Sequence, residues 1–215
     1  ASLADENGFV IVRDGLYDYI GKKSAISIPP SVKEISACAF LENMNLTSVS
    51  IPSSVKHIKW RAFLDCSSLV SIEIPRSVET IEHEVFGGCC SLRSVLLPKG
   101  LRKISHGTFK NCKSLLEIVI PNTVVHIESL AWFEGCDSLA DIYFCGSEDE
   151  WNSFYEEKIN RWRNRNSKKN ISYHGNSSNN NTYIISVIKD EILKKYTLQK
   201  VNLHVFKDPV LLMNN

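Results

Sequence analysis

No apolar run in the 215 residues approaches the roughly 20 that a helix needs to cross a bilayer. Neither sign of charge dominates: 25 Lys and Arg stand against 24 Asp and Glu, for a net charge of +1. That balance removes the field that would draw the chain to nucleic acid or to an acidic membrane. Glycine is sparse, with 10 in all, and none belongs to a phosphate-cradling loop. No two cysteines stand in C-x-x-C spacing, and seven is an odd number, so neither a zinc ribbon nor a complete disulfide framework fits. No Ser-His-Asp, Cys-His or paired-carboxylate arrangement can be nominated. Residue 1 is Ala with no signal-like apolar run after it, so the expectation is a chain from which any targeting segment has already gone. The remaining composition is 43% hydrophobic, enough to bury a core of its own.

The chain does have a period. Pro29, Pro52, Pro75, Pro98 and Pro121 recur every 23 residues, each after an apolar residue (Ile28, Ile51, Ile74, Leu97, Ile120). Val32, Val55, Val78, Leu101 and Val124 follow three residues on, and Ile35, Ile58, Ile81, Ile104 and Ile127 three further. An aromatic column comes next, Phe40, Phe63, Phe86 and Phe109, each preceded by Ala39, Ala62, Val85 or Thr108. Leu46, Leu69, Leu92 and Leu115 complete the pattern with Val49, Ile72, Val95 and Ile118. One extra residue in the fifth repeat moves its members to Phe133, Cys136, Leu139 and Ile142.

Each unit has a physical reading. The alternation before each proline marks a half-buried strand, and proline ends it because it has no N–H to give the ladder. A turn with a hydroxyl follows (Ser31, Ser54, Ser77, Thr123), with Gly100 in that place in the fourth repeat. Val-x-x-Ile is a second short extended piece, and a single helical turn is expected to carry the Ala-Phe pair inward. One unit cannot bury its apolar face alone, so the units must stack with strands about 4.8 Å apart. The expected fold is an α/β repeat solenoid, a right-handed coil with a parallel strand sheet.

The pattern I-P-x-S-V-x-x-I-x-x-x-A-F-x-x-C-x-S-L-x-x-I, clearest from Ile51 to Ile74, resembles the BspA-like leucine-rich repeats of bacterial and protozoan surface proteins. Phe9 to Gly21 resembles the opening segment of that family, with Ala25 to Ile28 as a first strand. Ile142 to Tyr173 resembles its closing segment, including Gly146, Ser147 and Trp151, a short helix, and a last strand Asn170 to His174. The basic insert Asn160 to Lys169 departs from that pattern. The expected organisation is an N-terminal cap at 1–28, five repeats at 29–143, a C-terminal cap at 144–174, a polar linker at 175–181, and a tail at 182–215 docked on the solenoid.

Cys66, Cys89, Cys112 and Cys136 occupy one column, with Asn43 in the same place in the first repeat. The resemblance implies buried free thiols that cap backbone groups, while Cys38, Cys90 and Cys145 lie off the column and are expected to be partly exposed. His83 and His106 share a column with Trp60. Stacking would bring the two histidines near each other, but no third carboxylate ligand accompanies them, so they read as solvated convex-face residues. Arg161, Arg163, Arg165, Lys168 and Lys169 follow an acidic stretch that would cancel their field, and they read as part of a solvated cap.

No cofactor and no metal is expected, and no enzyme. The strand face leaves one outward column as Ser27, Ser50, Glu73, Leu96, Val119, Tyr143 and its neighbour as Ala25, Ser48, Ser71, Ser94, Glu117, Asp141. Leu96, Val119 and Tyr143, rimmed by Glu73, Glu117 and Asp141, form the expected protein-contact face. The resemblance implies a secreted or cell-surface binding module whose partner is a protein or an extracellular matrix component, with no nucleic acid. A structural spacer without a ligand of its own is the rival reading.

Overall fold

The computed structural model describes residues 3–147, Glu150 and the backbone of residues 202–205. A hairpin of β1 (Phe9–Val12) and β2 (Gly15–Tyr19) closes the N-terminal end. Two walls of parallel strands then climb the coil. The face wall comprises β3 (Ala25–Ser27), β5 (Ser48–Ser50), β7 (Ser71–Glu73), β9 (Ser94–Leu96), β11 (Glu117–Pro121) and β13 (Asp141–Cys145). The opposite wall uses two-residue strands: β4 (Glu34–Ile35), β6 (His57–Ile58), β8 (Thr80–Ile81), β10 (Lys103–Ile104) and β12 (His126–Ile127). The last strand, β14 (Asn202–Val205), pairs in parallel with β13. Residues 160–169, 170–174 and 175–181 lie outside the described residues.

The third wall corrects the expected helical turn. Among the described residues of the solenoid, the one helical piece is the 3-10 turn Leu130–Phe133. In each of the first four repeats the chain instead alternates its bonds. Ala39, Leu41 and Asn43 give their N–H groups to carbonyls three residues back, while Cys38, Phe40 and Glu42 give theirs to Trp60, Ala62 and Leu64 of the next coil. The geometry that enforces this is a pair of left-handed residues in each of the first four repeats: Cys38 and Glu42, Arg61 and Asp65, Glu84 and Gly88, Gly107 and Asn111. A helix cannot pass through two such residues four apart. Most of these positions carry a side chain that disfavours positive φ, which stores strain. Cys38→Gly should therefore raise stability by about 0.5–1 kcal/mol, the left-handed penalty less the extra chain entropy of glycine. Thermal unfolding checks this, and a lowered midpoint would mean that the packing of the Cys38 side chain outweighs the strain.

Between the walls the rings form one column. Phe40, Phe63, Phe86 and Phe109 stack with centroids 4.7, 5.6 and 5.6 Å apart and planes within 16° of parallel. Spacing set by the coil puts like ring on like ring, so the arrangement follows strand geometry before ring electrostatics. Phe9 and Tyr19 extend the column into the hairpin, and Trp132 extends it at the far end. Trp132 sits where the other repeats have a small or β-branched residue: it takes the Phe109 N–H on its carbonyl, as Thr108 takes that of Phe86. The extra residue of the fifth repeat falls in this region, where the 3-10 turn holds Trp132 and Phe133 together in the core.

The ladders have a seam. Strands β7 and β9 fall in separate sheets, and so do β8 and β10. Ser105 Oγ bridges the second break by donating to Ile81 O at 3.0 Å, and Arg93 N donates to Val70 O across the first at 3.3 Å. Gly100 lies at the same joint, where a β-carbon would come within 3.0 Å of Val78 O. A cleft of about 780 Å³ opens there, lined among others by Glu79, Glu82, His83, Arg102 and Lys103. The ring column and the third wall cross the joint unbroken.

Candidate functional site

Alternation decides which side chains face outward. In β9 the middle residue Val95 is buried, and Ser94 and Leu96 are exposed; β11 and β13 repeat the pattern with Ile118 and Ile142 inside. Register then aligns the outward residues into rows. Leu96 stands opposite Val119, and Val119 opposite Tyr143; Ser94 stands opposite Glu117, and Glu117 opposite Asp141. Leu96 is 45% exposed, and Val119 and Tyr143 are half-buried. Glu73 ends β7, on the other side of the seam, in the row Ser27, Ser50, Glu73. The structure thus brings five of the six face residues onto one sheet and leaves Glu73 on the neighbouring one. His204 continues the Leu96 row by register, and Asn202 the Glu117 row.

One residue escaped the sequence reading. Leu116, immediately before β11, is also apolar and 49% exposed. The available signal was its column, in which Val70 and Leu116 are apolar although no core function is assigned to that position. Partial burial, and then the carboxylates of Asp141 and Glu117, push the Tyr143 hydroxyl above its ordinary range.

The remaining chemistry-bearing residues serve the coil. The thiols of Cys66, Cys89, Cys112 and Cys136 donate to Phe40, Phe63, Phe86 and Phe109 carbonyls at 3.0–3.3 Å, each reaching one coil back. Asn43 Oδ1 accepts from the Asn45 and Leu46 N–H groups instead. Burial pushes Cys66 up to about 12 and Cys89 well above the ordinary thiol range; a hydrogen bond shared with Cys136, then burial, does the same for Cys112. All seven thiols are free. Cys145 is buried, contrary to expectation, at the end of β13 in register with Pro121. A thiol reagent should therefore label Cys38 and Cys90 first under native conditions, with Cys66, Cys89 and Cys112 slow, since only the thiolate reacts. Mass spectrometry of partly labelled protein checks the order, and early labelling of Cys66 would contradict its burial.

His83 is exposed, with Nδ1 3.3 Å from Glu128. Glu128 also accepts from Lys103 at 2.7 Å and from the His106 N–H at 3.1 Å. Burial opposes its charge, but those bonds outweigh burial and hold its pKa below the ordinary carboxylate value. Among the described residues no group of three His, Cys, Asp or Glu side chains converges as a metal site, and no helix is long and apolar enough to cross a membrane.

The sequence profile of the BspA type leucine rich repeat region, six copies, matches residues 11–140 and 83–208. The chain belongs to the BspA type leucine-rich repeat family. No curated protein matches it. A leucine rich repeat protein of T. pallidum is 36% identical over 61% of this chain and 64% of its own, with a TM-score of 0.58. A leucine rich cell surface protein of Faecalibacterium prausnitzii is 34% identical over 65% of this chain and 37% of its own, with a TM-score of 0.62. This BspA type chain therefore spans less than two thirds of the length of either relative. The pneumococcal vaccine antigen PcpA, 19% identical over 91% of this chain and 45% of its own, shares the fold at a TM-score of 0.55.

Proposed function

We propose that this chain is a non-catalytic protein-binding module of a secreted or cell-surface protein, and that it binds through the face of β9, β11 and β13. The observation that carries the reading is the row Leu96, Val119, Tyr143, set in register on an outward face with Glu117 and Asp141 beside it and Glu73 beyond the seam. Apolar side chains in an outward row have no core to fill, and a strip of them with a polar rim is what an interface needs. The cell surface protein of Faecalibacterium prausnitzii supports a surface location. An extracellular matrix protein or another cell-surface protein is the partner class. Binding of the full chain to a panel of immobilised matrix proteins tests this. A Leu96, Val119 and Tyr143 triple alanine variant that stays folded by circular dichroism should lose any binding found. If it binds as well as the parent, the face is not the site.

A further inference from the structure

The seam leaves backbone groups without the partners that the same positions have elsewhere. Lys56, Glu79 and Val125 each give an N–H to the carbonyl one coil back, at Lys33, Lys56 and Arg102. Arg102 belongs to that column and makes no such bond to Glu79. In the next column Lys59, Glu82 and Glu128 donate to Ile35, Ile58 and Ile104. There the Ile81 carbonyl takes the Ser105 hydroxyl in place of the Ser105 N–H. The N–H groups of Arg102 and Ser105 and the Glu79 carbonyl are thus released from the ladder, and all three residues line the cleft of about 780 Å³. That volume lies within the ~300–1,000 Å³ of small-molecule sites. Main-chain groups left unpaired in a concavity favour a ligand that pairs with them.

The side chains around the cleft set the class of ligand. Glu79 pairs with Lys56, Glu82 with Lys59, and Lys103 with Glu128, so no surplus of either sign selects a charged molecule. Arg102 is exposed and has no ion pair among the described residues, which leaves its fork of N–H donors open to oxygen acceptors. At the rim Trp60 is 46% exposed, with the Arg61 guanidinium 5.2 Å from the centroid of its ring. The Trp60 N–H donates to Glu82 and the Arg61 N–H to the His83 carbonyl, both at 3.0 Å, and Glu82 and His83 line the cleft. We propose that this cleft is a second binding site, on the wall opposite the strand face, and that its ligand is a neutral oligosaccharide. Sugar hydroxyls both donate and accept, so they pair with the released N–H groups, the Glu79 carbonyl and the Arg102 fork together. The C–H face of a pyranose ring lies on the Trp60 indole. An anion would meet Glu79 and Glu82 beside those donors, and an apolar ligand would leave the donors unpaired.

A printed array of neutral, sialylated and sulfated glycans, probed with the full chain, tests the site. Neutral oligosaccharides should bind. Titration calorimetry with one that does should show affinity reduced about tenfold by Arg102→Met and by Trp60→Ala, the scale of one charged hydrogen bond or one aromatic contact. Both residues are exposed, so the variants should keep the circular dichroism of the parent. The Leu96, Val119 and Tyr143 triple alanine variant should bind the same sugar as the parent does, which separates this site from the strand face. Sugar binding lost in that variant would place the ligand on the strand face instead. Binding confined to sialylated or sulfated glycans would overturn the neutral ligand, because Arg102 would then be holding an anion. No bound glycan, or a bound glycan indifferent to both Arg102→Met and Trp60→Ala, would remove the site and leave the reading of the strand face untouched.

Discussion

Replacing Phe86 by Ala should lower the stability of the fold by about 3–5 kcal/mol, the range for deleting a phenylalanine from a packed core. Phe86 is fully buried, with Phe63 and Phe109 each 5.6 Å away by centroid on opposite sides. Its backbone bonds, an N–H to Thr108 O and a carbonyl that accepts the Cys112 thiol, survive the substitution. The loss is therefore that of the ring alone, together with the cavity left between two neighbours held apart by the coil spacing. A ring at the end of the column can be covered by moving a loop, but a central ring cannot. Urea unfolding measures the effect. A midpoint equal to that of the parent would take Phe86 out of the core and the 23-residue register with it.

Tyr143→Ala should weaken binding of a partner at the strand face by about 2 kcal/mol, close to thirtyfold in Kd, while leaving stability within about 0.5 kcal/mol. Those two expectations separate an interface residue from a core residue. Tyr143 is half-buried on the outward side of β13, and the inward side chains Ile142 and Phe144 carry the packing there. A tyrosine flanked by aliphatic residues offers a large, stiff contact at small entropic cost, with a hydroxyl at its tip. Titration calorimetry against a captured partner reads the affinity, and thermal unfolding reads the stability. A loss of fold would show that the ring supports the sheet; an unchanged Kd would move the contact elsewhere.

Some of this architecture is plain in the chain itself. The proline column marks where each face strand stops, and the inward residues of those strands follow from simple alternation, so both walls and the ring column can be read before any coordinates. The third wall is harder. Cys38, Arg61, Glu84 and Glu42 are ordinary residues forced to positive φ by their neighbours, and only Gly88, Gly107 and Gly135 hint at that conformation. Local propensity pointed to a helical turn; hydrogen bonding between coils overrode it. Trp132 was missed because the extra residue of the fifth repeat shifts the register just where a bulky side chain enters the small-residue column. The burial of Cys145 is not marked in the sequence either, since alternation from the inward Phe144 assigns it to the outward side. The apolar row of the face was legible as a column, but the seam that separates it from Glu73 was not. That seam depends on hydrogen bonds missing between β7 and β9 and between β8 and β10, which no pattern of residue types announces.

The same seam gives the solenoid unequal stiffness. The bonds that join one coil to the next lie along the long axis, so a pull from the two ends loads them in series, and a chain of springs in series stretches most at its weakest member. Where β9 and β10 stack on β7 and β8, two of the three walls lack their backbone ladder. Extension should therefore concentrate there, and a force trace of the tethered chain should show its first step at that joint. The four-stranded sheet with Leu96, Val119 and Tyr143 lies on one side of it, and would keep its shape while the serine-lined half swings away.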